Sequence, residues 1–123
     1  MAYENDRDTT LEADETQDLI SSEKVDGTAV YSADGDKLGS IHHFMVGKQD
    51  GKVRYAVLNF GGLFENRYHP IPWNQLTYST DDGGYRINIT KEQLKNAPSF
   101  ASGSEPTYDR AYDREIDDYY ARG

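Results

Sequence analysis

The chain of 123 residues contains no cysteine. Disulfides, thiolate metal sites and cysteine nucleophiles are therefore excluded. The sequence also lacks any run close to the roughly 18 apolar residues of a membrane span, and its acidic first residues contain no apolar stretch of the kind found in signal peptides. We expect a protein that does not insert into membranes, and a cytoplasmic location is the simplest expectation.

Basic residues are few and form no stripe along the chain. The 13 Lys and Arg are opposed by 22 Asp and Glu, so the formal net charge is −9. Residues 1–23 contribute −7, residues 24–100 contribute +1 and residues 101–123 contribute −3. Nucleic-acid binding draws much of its affinity from Lys and Arg that replace counterions on phosphates. Direct binding to DNA, RNA or an anionic membrane surface is therefore disfavoured.

Apolar residues are also scarce, at 36% of the chain, so a compact core can involve only part of it. Residues 1–18 form an acidic segment that cannot bury enough surface to offset its ordering entropy, and we predict that it is disordered. Residues 19–100 are predicted to form the folded domain. In the tyrosine-rich tail, residues 101–123, apolar side chains recur every four positions, which predicts a docked helix with an apolar stripe: Tyr108, Tyr112, Ile116 and Tyr120.

The longest β-rich run is V-R-Y-A-V-L-N-F-G-G at positions 53–62. It is dense in β-branched and aromatic residues, and apolar side chains fall on both faces, as is typical of a central strand. The dipeptides Asp34-Gly35 and Asp50-Gly51 are tight-turn signals on either side of the strand that precedes this run. Together they predict a meander of three antiparallel strands.

The second half of the domain contains further signals for strands and one for a helix. Pro70 and Pro72 predict a strand edge or a strand ending, because in a strand both would leave the same side without a hydrogen-bond donor. The clean alternation of Y-R-I-N-I at 85–89 predicts a strand with one buried face. The spacing T-K-E-Q at 90–93 is that of a capping box, which predicts a short helix that stops before Pro98.

Four segments carry a family resemblance: V-D-G-T-A-V-Y-S-A-D-G-D-K-L-G-S-I, the run at 53–62, H-P-I-P-W-N-Q-L and I-T-K-E-Q-L-K-N-A-P-S-F. With these, residues 21–100 resemble the PRC-barrel family, the small barrel shared by the photosynthetic reaction centre H subunit and the ribosome maturation factor RimM. In order and spacing they are most similar to stand-alone bacterial PRC-barrel proteins. The resemblance implies an all-β fold, a small barrel of five to six strands with a short helix after the last strand. It also implies binding to other proteins and supplies no catalytic residue.

The three histidines were considered as metal ligands. Neighbouring residues on a strand point to opposite faces, so His42 and His43 could serve one metal only if the strand were distorted. A ligand set would otherwise need one of them, His69 and a carboxylate such as Glu65. Histidines without metal-ligand spacing are usually surface or half-buried residues, so we expect no metal site and no cofactor.

Catalytic and calcium-binding motifs are not matched either. The segment Asp34-Gly35-Asp36 resembles the start of a calcium loop, but Leu38 and Met45 occupy positions that need liganding oxygens, so a turn is predicted. Gly61-Gly62 lacks the spacing of a phosphate-binding loop. No nucleophile, base and orienting group can be assembled from these residues, and we expect a protein that is not an enzyme.

The candidate interaction residues are large apolar side chains. Phe64 and Trp73 either close one end of the barrel core or leave one ring exposed beside the Gly-Gly loop, where it would anchor a partner. The tail residues Tyr112, Ile116 and Tyr120 pack either on their own barrel or on a neighbour's. The leading hypothesis is a non-enzymatic protein-interaction module that self-associates as a homodimer.

Two alternatives remain open at this point. One is a small-ligand or metal-binding barrel, with His69, Trp73 and a carboxylate lining its mouth. The other is an adaptor that contacts a ribosomal protein, by analogy with RimM. The charge distribution favours a protein contact over an RNA contact in that case.

Overall fold

The computed structural model describes residues 25, 27–61 and 66–122 of the chain. The strands are β1 (Ala29–Tyr31), β2 (Lys37–Val46), β3 (Val53–Gly61), β4 (Asn66–Pro72), β5 (Leu76–Ser79), β6 (Gly84–Ile87) and β7 (Phe100–Ala101). A 3₁₀ turn (Trp73–Gln75) joins β4 to β5, helix α1 (Lys91–Lys95) follows β6, and helix α2 (Arg110–Arg122) follows β7. The acidic segment predicted at 1–18 lies outside the described residues, and the three segment boundaries stay predictions.

The strands form one sheet in the order β5-β6-β1-β2-β3-β4-β7. All neighbouring pairs are antiparallel except β1 and β6, which run parallel with Val30 opposite Tyr85. The predicted all-β class, meander and two helices are confirmed. Within the described residues the sheet has seven strands where five to six were expected, because β7 contains two residues and is too short to produce a sequence pattern. For the same reason α1 precedes the last strand instead of following it.

Strand β3 is buried on both of its faces. Tyr55, Ala56, Val57 and Leu58 follow one another, and all four side chains are buried, the last two completely. The strand pairs with β2 on one side and β4 on the other along most of its length. The prediction of a central strand is therefore confirmed, since consecutive apolar residues can be buried only where both faces are covered.

The predicted turns lie where the sequence placed them. Gly35 and Gly51 have φ values of 91° and 71°, which glycine adopts without the steric cost that a side chain would add. No sequence pattern predicted the role of Ser32, which is fully buried and accepts hydrogen bonds on its Oγ from the amides of Asp34 (3.2 Å) and Asp36 (3.1 Å). This turn is organised by a serine as well as by its glycine.

The two prolines of β4 lie in the part of the strand that is an edge of the described sheet, as the sequence predicted. Pro70 and Pro72 are within the pairing between β4 and β3, whereas β7 pairs with β4 only at Arg67 and Tyr68. Beyond those two residues, the described sheet has no strand on the outer side of β4. The absence of a backbone N–H at Pro70 and Pro72 therefore removes no hydrogen bond between strands on the outer side of β4.

Helix α1 begins with the predicted capping box. The Gln93 amide donates to Thr90 Oγ1 over 3.1 Å, and the Thr90 amide donates to Gln93 Oε1 over 2.8 Å. The helix ends at Lys95, before Pro98, and its Leu94 side chain is completely buried. Local capping and one core contact together fix this short helix.

Helix α2, the predicted tail helix, packs on the sheet of its own chain. Ile116 and Tyr120 belong to the buried core, and the Tyr55 hydroxyl on β3 donates to Asp113 Oδ1 over 3.0 Å. The Tyr119 hydroxyl donates to the Gln93 carbonyl at the end of α1. Apolar burial and two hydrogen bonds thus fix the helix against both the central strand and α1.

Gly39 lies where β2 and β3 approach closely, and a Cβ there would overlap the carbonyl oxygen of Asn59. We predict that Gly39→Ala lowers the free energy of unfolding by about 1–3 kcal/mol. The sign is informative, because Gly→Ala within a strand is otherwise stabilising by roughly 0.5–1 kcal/mol. Urea denaturation measures the change, with Ser40→Ala at the next residue as the control. Equal stability of Gly39→Ala and wild type would contradict the close approach.

Candidate functional site

Trp73 is part of an aromatic cluster formed by Phe44, Trp73, Tyr78 and Tyr85. Its ring centroid lies 5.5 Å from those of Phe44 and Tyr85, and the Tyr78 and Tyr85 centroids are 5.2 Å apart. Because these rings come from β2, the 3₁₀ turn, β5 and β6, the cluster joins distant parts of the sheet. It is partly accessible, since Trp73 and Phe44 are half-buried and the Tyr78 side chain is 36% exposed.

Trp73 thus fits both interpretations offered from the sequence, packing in the core and contact with a partner. The ring packs on core residues, as the structural reading expected, and it also keeps a partly exposed surface, as a partner contact requires. Phe64, the second candidate beside the Gly-Gly loop, lies outside the described residues. Its place relative to Trp73 stays a prediction.

Strand β5 forms one edge of the sheet and borders this cluster. It pairs with β6, and within the described sheet no strand lies on its other side. Edge strands are usually protected against pairing by charged side chains, prolines, bulges or shortness. The sequence of β5, L-T-Y-S, contains no charge and no proline, whereas the opposite edge, β7, has only two residues. Of the two edges, β5 is the less protected.

The three tail residues considered for an interaction surface, Tyr112, Ile116 and Tyr120, pack within their own chain. Ile116 is 0% exposed and Tyr120 2% exposed, while Tyr112 is partly buried against the same core. These side chains cannot serve as a free surface while α2 stays docked. An interface through them would require exchange of the helix between two copies.

Three hydroxyls of the tail are buried without a hydrogen-bond partner in the part of the chain that the structure describes: those of Tyr108, Tyr112 and Tyr120. Burial raises the pKa of Tyr108 to about 12 and raises those of Tyr112 and Tyr120 as well. All three therefore remain neutral near pH 7. The Tyr55 hydroxyl differs, because it is hydrogen-bonded to Asp113, and burial is the main cause of its raised pKa.

His69 lies in the core and not at a mouth of the fold. Its side chain is 1% exposed, and the ring meets Phe60 edge to face with centroids 5.5 Å apart. The ring is hydrogen-bonded to the backbone of Pro98, where only the carbonyl can take part, so the imidazole donates. Burial lowers its pKa to about 4, and Nδ1 has no partner among the described residues. His69 is thus a neutral core residue near pH 7.

The structure does not assemble the ligand set that the sequence suggested. His69 packs on Phe60, whereas Trp73 contacts Phe44 and Tyr85. Glu65, the suggested carboxylate, lies outside the described residues. Within residues 25, 27–61 and 66–122, no group of three or more His, Asp or Glu side chains is placed to hold a metal ion.

The expected arrangement of His42 and His43 requires a correction. Regular alternation would separate them, but a β-bulge lies between Ile41 and His43, which pair with the consecutive residues Leu58 and Val57 of β3. The bulge brings the two rings together, with the Nδ1 atoms 2.8 Å apart and the ring planes at 79°. The sequence contains no evident signal for this distortion.

Comparisons with known proteins are consistent with this architecture. The PRC-barrel domain profile matches residues 17–94, which include strands β1–β6. An uncharacterized protein of Deinococcus radiodurans is 32% identical over 92 residues, or 75% of this chain. The chain spans 31% of the length of that relative. Among the described residues, no helix has the length and apolar character needed to cross a bilayer.

The burial of neutral His69 makes a pH dependence of stability testable. Its folded-state pKa of about 4 lies below the ordinary 6.5, so the unfolded chain binds the proton more readily. The contribution of neutral His69 to the free energy of unfolding is complete above the unfolded-state pKa. As the pH falls toward the folded-state pKa, up to about 3 kcal/mol of that free energy is lost. We predict that His69→Leu flattens the decline in unfolding free energy between about pH 7 and pH 4. Urea denaturation at each pH measures the unfolding free energy of wild type and His69→Leu. If the two proteins lose stability in parallel as the pH falls, His69 does not have this role.

Two tyrosines allow a matched test of how α2 is held. Tyr120→Phe removes a buried hydroxyl that has no partner among the described residues, so we predict stability equal to or up to about 1 kcal/mol above wild type. Tyr55→Phe removes the hydroxyl bonded to Asp113 and should destabilise by about 0.5–1.5 kcal/mol. Thermal and urea unfolding of both variants measure the contrast. A destabilised Tyr120→Phe variant would show that its hydroxyl has a partner.

Proposed function

The chain belongs to the PRC-barrel domain family, and from that premise we propose that it is a non-enzymatic protein-interaction module that self-associates as a homodimer. The observation that supports this most directly is that β5, the less protected edge strand, borders the partly exposed aromatic cluster. A second copy of the chain is the proposed occupant of that edge.

A strand edge carries backbone amides and carbonyls that can pair with another strand. Two copies related by a two-fold axis can place their β5 strands side by side and antiparallel, so that each edge supplies what the other needs. Such pairing satisfies backbone groups on both copies at once. The four residues of β5 provide a short pairing, and further contact is needed to hold it.

The aromatic cluster supplies that further contact. Tyr78 lies within β5 and is 36% exposed, and Trp73 lies immediately before β5 with a half-buried ring. Tyr and Trp are enriched at the centres of protein interfaces, because they bury large areas at small cost in side-chain entropy. The apolar tail stripe is already buried within the chain, which leaves this face as the better-supported one.

Electrostatics add a condition on this association. Each copy carries a formal net charge of −9, so two copies repel one another over long distances. Close to β5 the charge is partly compensated, because Arg86 Nε lies 2.7 Å from Asp82 Oδ2. Association should therefore strengthen as added salt screens the overall repulsion.

The most strongly perturbed titratable groups support a non-enzymatic role. Burial accounts for the shifted pKa values of His69, Tyr55 and Tyr120, and all three side chains are packed in the core. Shifted groups suggest catalysis when they line a cleft that a substrate can enter. Here the shifts are explained by packing.

We predict that the full chain is a dimer by size exclusion with light scattering, and that Tyr78→Lys converts it to a monomer of unchanged secondary structure. A lysine at this position places a charge on the edge and removes an aromatic contact. Ala111→Lys is the matched control, because Ala111 is exposed on α2 and the change adds the same charge away from the edge. The control should remain a dimer.

A strictly monomeric wild-type chain at high concentration and raised salt would contradict self-association. Equal dimerisation of Tyr78→Lys and Ala111→Lys would instead reject β5 as the interface. In the first case, the adaptor role expected from RimM becomes the hypothesis to test, by co-sedimentation of the full chain with ribosomes at low salt.

A further inference from the structure

We propose that His42 and His43 form a two-nitrogen site for a divalent transition-metal ion that favours square-planar or tetragonal coordination, Cu²⁺ or Ni²⁺. Both ligands come from adjacent positions of β2, and the β-bulge makes the pair possible. The site is independent of the proposed dimer interface, and it differs from the set of His69 and Glu65 considered above.

The backbone explains why adjacent histidines converge. In a regular strand their side chains would leave opposite faces of the sheet. Ile41 is opposite Leu58 and His43 is opposite Val57, so His42 is the extra residue of the bulge and has no counterpart on β3. Bulges re-aim side chains in this way and occur often beside functional sites. The convergence is thus built into the strand.

The two nitrogens are close enough to enter the coordination sphere of one metal ion. Two ligands about 2.0 Å from a metal and at a right angle are separated by about 2.8 Å, whereas a tetrahedral angle gives about 3.3 Å. The Nδ1 atoms of His42 and His43 are 2.8 Å apart. That separation is an ordinary hydrogen-bond length, and after small ring rotations both nitrogens can enter one coordination sphere. The preference for Cu²⁺ or Ni²⁺ over other divalent ions rests on the imidazole ligands and on the higher affinity of nitrogen sites for Cu²⁺ than for Zn²⁺.

A metal ion can replace the hydrogen bond between His42 and His43 if one ring changes its tautomer. In the metal-free pair one Nδ1 carries the shared proton and the other accepts it with its lone pair. Coordination needs a lone pair on both Nδ1 atoms, so the donor ring must become the tautomer protonated at Nε2. That change moves one proton from Nδ1 to Nε2 of the same ring through solvent, and no proton is gained or lost. No oxidant or reductant is required.

Neighbouring rings hold His42 in place while leaving it accessible to solvent. The His42 ring meets Tyr68 edge to face with centroids 5.1 Å apart, and Tyr68 stacks on Phe100 at 5.6 Å. Tyr68 and His69 are consecutive in β4 and lie on opposite faces, so this site faces away from the buried His69. His42 is exposed, so a metal can enter from solvent and complete its coordination with water.

The full-length chain is titrated with Cu²⁺ in a non-coordinating buffer by calorimetry, and its spectrum is recorded by electron paramagnetic resonance. We expect one site, a tetragonal signal with hyperfine structure from two imidazole nitrogens, and binding of Zn²⁺ about tenfold or more weaker. His42→Gln and His43→Gln should each weaken Cu²⁺ binding by about tenfold or more, because one of the two nitrogens is lost.

Two controls separate this site from adventitious binding. His69→Leu should bind Cu²⁺ like wild type, and Asp50→Asn tests for binding through surface carboxylates. Unchanged affinity in the His42→Gln and His43→Gln variants would overturn the proposal, as would a wild-type spectrum without nitrogen coupling. If His69→Leu fails to fold, the wild-type spectrum and the two glutamine variants are sufficient to reach either result.

Discussion

The burial of β3 on both faces is the constraint on which the rest of the fold depends. Tyr55 to Leu58 are four consecutive buried side chains, so both faces of the strand must be covered. A single sheet can cover one of its own faces if it curves around it. Trp73, which follows β4, contacts Tyr85 of β6 and so connects strands near opposite ends of the strand order, and it also contacts Phe44 of β2. Helix α2 contributes further cover, through Ile116, Tyr120 and the hydrogen bond from Tyr55 to Asp113.

This requirement determines which surfaces remain for other partners. The apolar stripe of α2 is occupied by its own sheet, so the residues that look most like an interface in the sequence are core residues in the fold. Among the described residues, two accessible surfaces carry the proposals made above: the edge of β5 with Tyr78 and Trp73 and, separately, the histidine pair on β2 with exposed His42. The two surfaces differ in chemistry, since one offers backbone groups and aromatic rings and the other offers nitrogen lone pairs.

Buried polar groups show where the fold departs from an ideal core. His69 retains one hydrogen bond, to Pro98, and its burial makes the neutral ring part of the stable state. Tyr108, Tyr112 and Tyr120 bury apolar rings, but their hydroxyls have no hydrogen-bond partner among the described residues, and each opposes docking by about 1–3 kcal/mol if left unsatisfied. The tail helix is thus held by its apolar area and by the hydrogen bonds of the Tyr55 and Tyr119 hydroxyls, and not by the hydroxyls of Tyr108, Tyr112 and Tyr120.

Local chemistry in the sequence determined the elements whose cause is local. The turns at Gly35 and Gly51, the capping box of Thr90 and Gln93, and the twofold alternation at 85–89 depend on neighbours along the chain, and each was predictable. Only the tertiary structure decided that the tail stripe packs on its own sheet, that β5 is an edge, and that a bulge joins His42 to His43. Those features depend on strand pairing between residues far apart in sequence, which composition and periodicity do not specify.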